Sequence, residues 1–195
     1  MKNISDNIAD TLLQSGILRD DNVDACRYGL DIFVSSVLEI ISILVISVFV
    51  GNFVETLLFF LAFVPLRIYA GGYHADTKLK CYFVSIGVYA AFTAAIYSLP
   101  QTLYITVNML MSMFSVVIVF AAAPVVHRNK TVNEIERMYY RKFSILICMV
   151  ETLIILILTA VFPRSIYIVS LVFGQLAVTL SMVAAIVKRK TVADK

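Results

Sequence analysis

Cys81 and His74 are the residues of this 195-residue chain best suited to covalent chemistry. They lie seven positions apart in the run Arg67-Ile-Tyr-Ala-Gly-Gly-Tyr-His74-Ala-Asp-Thr-Lys-Leu-Lys-Cys81. The run combines a nucleophile, a candidate base and the flexible Gly71-Gly72 backbone with positive charge at Arg67, Lys78 and Lys80. Cationic neighbours and a histidine favour the thiolate, which is the attacking species in cysteine chemistry. A solvated polar loop is the bland alternative, and residue types alone leave both readings open.

The remaining cysteines and histidine compete poorly. Cys148 sits in an Ile/Leu/Val-rich stretch, where a free cysteine behaves as a small hydrophobe. Cys26 has no histidine nearby. Three cysteines make an odd count with no pairing framework, so a disulfide scaffold is not expected. His127 falls among basic residues and reads as a surface group. His74, Asp76 and Cys81 are too few and too mixed for a zinc signature. A Cys/His pair for nucleophilic catalysis fits the inventory better, and no metal is expected.

Reach constrains that pair. On an unbroken helix, residues seven apart share a face but stand about 10 Å apart along the axis. Their side chains then miss hydrogen-bond distance of about 3 Å. The backbone must therefore bend between them. Gly71-Gly72 supplies a break, and Asp76-Thr77 can cap a new helix. Cys81 then falls about one turn inside that helix, with His74 folding back from the loop. Amides of the Gly-Gly pair, or of the helix start, are candidate oxyanion donors.

The elements that carry these residues are apolar. The chain is 61% hydrophobic and 15% charged, with a mean hydropathy of +0.90. A membrane-spanning helix needs roughly 20 mostly apolar residues, and six windows qualify: about 33–50, 53–69, 82–100, 102–123, 143–162 and 165–187. The expected fold is all-α, a six-span integral membrane protein forming a single domain over 1–195. No cleaved signal peptide is expected. Window 53–69, with Glu55, Pro65 and Arg67, is the one most open to a broken or re-entrant form.

Basic residues orient the spans. With both termini in the cytoplasm, fifteen of the sixteen Lys and Arg residues fall on cytoplasmic segments, and Arg164 alone falls outside. That agrees with the positive-inside rule and places Arg67–Cys81 on the cytoplasmic face. The outer connections Gly51-Asn52, Pro100-Gln101 and Pro163-Arg164 are too short to form a ligand-capturing domain. Residues 1–32 read as amphipathic: Ile4, Ile8 and Leu12 recur at helical spacing, and a second short helix carries Cys26 to Asp31. The segment 188–195 is a basic tail.

Other polar residues are candidates for support. Glu39, Glu55 and Glu151 lie at or near membrane depth, where ionisable groups are functional candidates by default. Any of them is available to orient His74. Gln175 is a candidate for an interhelical hydrogen bond. Arg67 either binds a carboxylate or oxyanion or reaches toward the interface.

The segment Arg67-x-x-Ala-Gly-Gly-Tyr-His-Ala-x-Thr-x-x-x-Cys81 resembles the signature of the accessory gene regulator protein B (AgrB) family. Arg27-Tyr-Gly-Leu-Asp31, the basic loop from Ala123-Pro124, the length and the six spans extend the resemblance over essentially the whole chain. It implies a membrane cysteine endopeptidase of bacterial peptide quorum sensing, with Cys81 as nucleophile and His74 as base. The implied partner is a small AgrD-like propeptide with an amphipathic N-terminal helix, a central signal sequence and an acidic C-terminal tail. The enzyme removes that tail and helps close a thiolactone or lactone ring.

Arg67, Gly71, Gly72 and Lys130 then become substrate-binding or supporting residues. The basic loop with Arg128, Lys130, Arg137, Arg141 and Lys142 offers charge to an acidic tail, or simply sets topology and meets anionic lipid. No cofactor and no nucleic-acid partner are implied; membrane lipid is, and small residues in the spans would permit a homodimer. Two other classes remain open from sequence: a transporter of the signal peptide without proteolytic activity, and a non-catalytic scaffold.

Overall fold

The computed structural model describes residue 11 and residues 23–73, 77–125 and 133–193. Six long helices follow in order: α1 (Val23–Val50), α2 (Phe53–Ala70), α3 (Lys78–Ser98), α4 (Tyr104–Ala122, after a 3-10 turn at Gln101–Leu103), α5 (Glu134–Val161) and α6 (Ile166–Ala193). Each holds a stretch long and apolar enough to cross a membrane. The all-α, six-span expectation therefore stands, and the span windows agree to within a few residues except at the start of α5.

Two local expectations change. The short helix expected around Cys26 is not separate, because α1 runs unbroken from Val23. Val23–Gly29 offers no proline or capping break that would end it. α2 is likewise continuous through Pro65, so it is not broken there. α5 begins nine residues before the apolar window. At 1.5 Å per residue its 28 residues reach about 42 Å, against a hydrocarbon core of about 30 Å. The surplus is the charged first stretch Glu134–Lys142, begun by a reciprocal Asn133/Glu136 capping box. The amphipathic pattern expected at Ile4, Ile8 and Leu12 lies outside the described residues.

The chain divides into two compact units, one ending at Ile46 and one spanning Ser47–Lys195. The first consists, in its described part, of α1 up to Ile46. In the second, α6 is central: 61% of its span is buried, against 17–28% for those of α2 to α5. Its closest neighbour is α2. A Cβ at Gly174 would overlap the Phe59 carbonyl oxygen and stand 3.1 Å from the Ala62 Cβ, so glycine lets the two backbones approach. Phe59 also packs on Phe92 of α3 at 4.7 Å between ring centroids. Asn52, fully buried, receives the Tyr89 hydroxyl at 2.9 Å and donates to Thr93 at 3.1 Å. These contacts tie the far half of α3 to the start of α2.

Polarity is inverted relative to a water-soluble core. Ser112, Ser115, Thr152, Gln175 and Thr179 are buried, whereas Leu61, Val117, Leu153 and Val187 are exposed. Gln175 donates to Thr152 Oγ1 at 2.9 Å and to the Cys148 carbonyl at 3.2 Å, the interhelical bond that its mid-span position suggested. Cys148 is fully buried, a packing residue as its surroundings imply. In lipid, apolar surface gains little by leaving the solvent, so close packing and hydrogen bonds hold the helices together.

Gly174→Ala is expected to destabilise the protein by about 1–3 kcal/mol through overpacking. Gly87→Ala, where an added Cβ meets nothing within 4 Å, should be neutral or stabilising by up to about 1 kcal/mol. Thermal unfolding of the two variants in one detergent checks the opposite signs.

Candidate active site

α2 ends where the sequence places its chemistry. Gly71 has φ of 72° and Gly72 φ of 135°, values that side chains with a Cβ seldom adopt. The turn they form is fixed to three elements at once. The Val125 amide donates to the Ala70 carbonyl at 2.9 Å, and the Gly72 amide donates to the Val125 carbonyl at 3.3 Å. Gly71 and Val125 thereby form an isolated parallel β-bridge between the chain leaving α2 and the chain leaving α4. Beneath it lies an apolar floor of Leu66, Ala70, Val119, Ala123, Val125, Val178 and Met182.

Arg67 closes the turn from within. It lies one helical turn before Gly71, so its side chain can reach the backbone that follows the helix. Nη1 donates to the Gly71 carbonyl at 2.6 Å and to Ser181 Oγ of α6 at 2.7 Å. Nη2 donates to the Tyr73 carbonyl. A fork of donors suits this task, because one planar group serves two carbonyls and a hydroxyl in fixed directions. The guanidinium also lies within electrostatic reach of Cys81.

Both glycines are required by these approaches. A Cβ at Gly72 would overlap the Arg67 guanidinium and the Ser181 hydroxyl, and a Cβ at Gly71 would overlap the Val125 carbonyl oxygen. Their amides are engaged as well. Gly71 donates to Arg67 O at 3.1 Å, and Gly72 to Val125 O.

Tyr73 is held on three sides. Its amide donates to the Ser181 carbonyl and to Ser181 Oγ, both at 3.0 Å. Its carbonyl receives Arg67, and Lys188 Nζ stands 5.1 Å from its ring centroid, within cation–π range. His74 follows directly in the chain. His74, Ala75 and Asp76 lie outside the described residues, as do His127, Arg128 and Lys130.

The chain is fixed again at Thr77. Thr77 is the N-cap of α3, with its side-chain oxygen accepting from the Lys80 amide at 3.3 Å. The Cys81 amide donates to the Thr77 carbonyl at 3.0 Å, which makes it the first i→i−4 bond of the helix. Cys81 is thus one turn inside α3, half-buried, as the capping pattern implies. Cys81 therefore belongs to a different helix from Arg67 and from the Gly-Gly turn, since α2 ends at Ala70 and α3 begins at Lys78.

Two candidate orienting carboxylates lie elsewhere in this unit. Glu55 stands fifteen residues before Ala70 on α2, about 22 Å along the axis. Glu151 lies eight residues, or about 12 Å, deeper along α5 than Phe143, whose ring stacks on Tyr69 at 5.3 Å. Neither lies level with the described Gly71–Tyr73 turn or with Cys81. Among the described residues no group of three or more His, Cys, Asp or Glu side chains could hold a metal ion.

Ser181, Val125 and Lys188 escape sequence reasoning. Each is an ordinary residue near the end of an apolar helix. The one available hint is a small polar side chain at Ser181, of the kind that lets membrane helices approach.

A bundle of membrane-length helices with a Cys-bearing, capped helix start beside a clamped glycine turn defines a class of integral membrane protein with its polar site at one end. The sequence model described as Accessory gene regulator B matches residues 5–185, and the chain belongs to that family, which places it among the accessory gene regulators of quorum sensing. Protein FsrB of Enterococcus faecalis is 31% identical over 98 residues, 50% of this chain and 40% of FsrB. The chain therefore covers two-fifths of the length of that relative. No solved structure matches.

Replacing Arg67 by Gln is expected to leave a carbonyl of the turn without its partner and to destabilise the protein by about 1–3 kcal/mol. Arg67→Lys should recover only part of that loss, since a single ammonium cannot reproduce the fork. Thermal unfolding of both variants in detergent checks the order.

Proposed function

We propose that this protein is a cysteine endopeptidase acting on a small membrane-associated propeptide, with Cys81 as nucleophile and His74 as base and then acid. The observation that carries the reading is the placement of Cys81 in the first turn of a capped helix, next to a turn that Arg67 locks. Sequence adjacency of His74 to the clamped Tyr73 supports its assignment as the partner.

Each step follows from these groups. His74 takes the thiol proton as Cys81 Sγ attacks the scissile carbonyl carbon. The tetrahedral oxyanion needs donors. The Gly71, Gly72 and Tyr73 amides are committed to the fold, and those of Lys80 and Cys81 to Thr77, so the Lys78 and Leu79 amides at the start of α3 are the better candidates, at a helix end that attracts negative charge. The C–N bond breaks, His74 gives its proton to the leaving amine, and the acyl group remains on Cys81 as a thioester. A cysteine thiol or serine hydroxyl within the retained peptide then attacks that thioester. The new ring bond forms, the bond to Cys81 breaks, and its sulfur regains a proton through His74.

Cyclisation succeeds only where water does not reach the thioester first. A propeptide bound over the half-buried Cys81 would serve that purpose by covering the thioester. The implied substrate is an AgrD-like propeptide with an acidic tail, and Arg137, Arg141 and Lys142 are exposed on the first turns of α5. Together with Lys130 they supply attraction for that tail. The same reading places Cys81 and both termini on the cytoplasmic face.

Incubation of the reconstituted protein with an acidic-tailed propeptide should give a hydroxylamine-labile mass increase equal to the retained N-terminal fragment. Cys81→Ala should abolish both adduct and cleavage. Peptide movement across the bilayer that survives Cys81→Ala, with no cleavage in the parent protein, would instead support a transporter.

A further inference from the structure

We infer that Ser181, at the site end of α6, is a positioning residue for the His74–Cys81 pair; this rests on the peptidase reading above. Its hydroxyl oxygen accepts from Arg67 Nη1 at 2.7 Å and from the Tyr73 amide at 3.0 Å, while its carbonyl accepts from the same amide at 3.0 Å. One side chain on the most buried helix of its unit therefore holds both the guanidinium and Tyr73, the residue next to His74 in the chain. Other helix serines behave differently. Ser170 of α6 donates to Ile166 O of its own helix at 3.1 Å, the usual way for such a hydroxyl to be satisfied in a span. Ser181 instead turns its oxygen toward the loop.

The consequence is a mechanical link. Arg67 must keep its fork directed at the Gly71 and Tyr73 carbonyls, and Ser181 Oγ occupies the remaining side of Nη1. Without it, the guanidinium gains freedom and Tyr73 loses one of its two anchors to α6. The chain then enters His74 from a less fixed point. Cys81, held by the Thr77 cap, stays where it is. A misplacement of about 1 Å between reacting groups can cost about a hundred-fold in rate.

The test uses the full-length protein in vesicles and two readouts. Cleavage of the acidic-tailed propeptide gives kcat and KM. Alkylation of Cys81 by iodoacetamide, followed by peptide mass spectrometry, reports on the thiol without any substrate. Ser181→Ala should lower kcat by about ten- to a hundred-fold, leave KM nearly unchanged and slow Cys81 alkylation. Ser170→Ala should match the parent protein in both. Lys188→Ala, which removes the cation above the Tyr73 ring, should lower kcat in the same direction by less and covers the case of a poorly folded Ser181→Ala.

A Ser181→Ala protein with parental kcat and alkylation rate would overturn the inference. So would a rise in KM alone, which would make Ser181 a substrate contact. A parent protein that cleaves nothing, with alkylation still slowed by Ser181→Ala, would remove the peptidase reading and leave the positioning role in place.

Discussion

A single guanidinium organises the turn that follows α2 in this protein. Arg67 bonds to carbonyls of the two residues that flank Gly72 and to a serine on α6. Those contacts dictate much else. Gly72 must lack a side chain because the guanidinium occupies its space, and Gly71 must lack one because Val125 crosses there. A positive charge at the end of an apolar span is expensive unless its donors are satisfied. Here the satisfaction comes from the backbone turn itself, so the charge and the turn require each other.

The rest of the unit explains why such a turn can be held still. α6 supplies the rigid reference, buried along most of its length by α2, α4 and α5. Gly174 brings α2 against it, and Gln175 ties it to α5 through Thr152 and the Cys148 carbonyl. The Ser181 contacts lie on that same helix, two turns beyond Gly174. Packing in mid-span and geometry at the site are therefore linked through a stiff element rather than through the loop.

Much of this was legible in the sequence, for identifiable reasons. Hydropathy located the spans because only helices satisfy their own backbone in lipid. The Thr77 cap and the position of Cys81 followed from helix-start chemistry, and the turn after α2 from the conformational freedom of Gly71-Gly72. The start of α5 was hidden because Glu134–Lys142 is charged, so apolar windows miss it although the capping box begins it. The Arg67 contacts were hidden for another reason. A basic residue at a span end is equally consistent with reaching for the interface, and its partners on α6 lie 114 residues away in the chain. The bond between the Gly-Gly turn and Val125 is of the same kind, since no local pattern marks a carbonyl that another segment will use.

Hydrogen–deuterium exchange of the Gly72 and Tyr73 amides tests the clamp most directly, in the parent protein and in Arg67→Gln reconstituted in the same lipid. Protection of both amides in the parent, lost in Arg67→Gln while the amides of α2 up to Leu66 stay protected, is the predicted result. Equal exchange at Gly72 and Tyr73 in the two proteins would contradict the account, because the turn would then be held without the guanidinium.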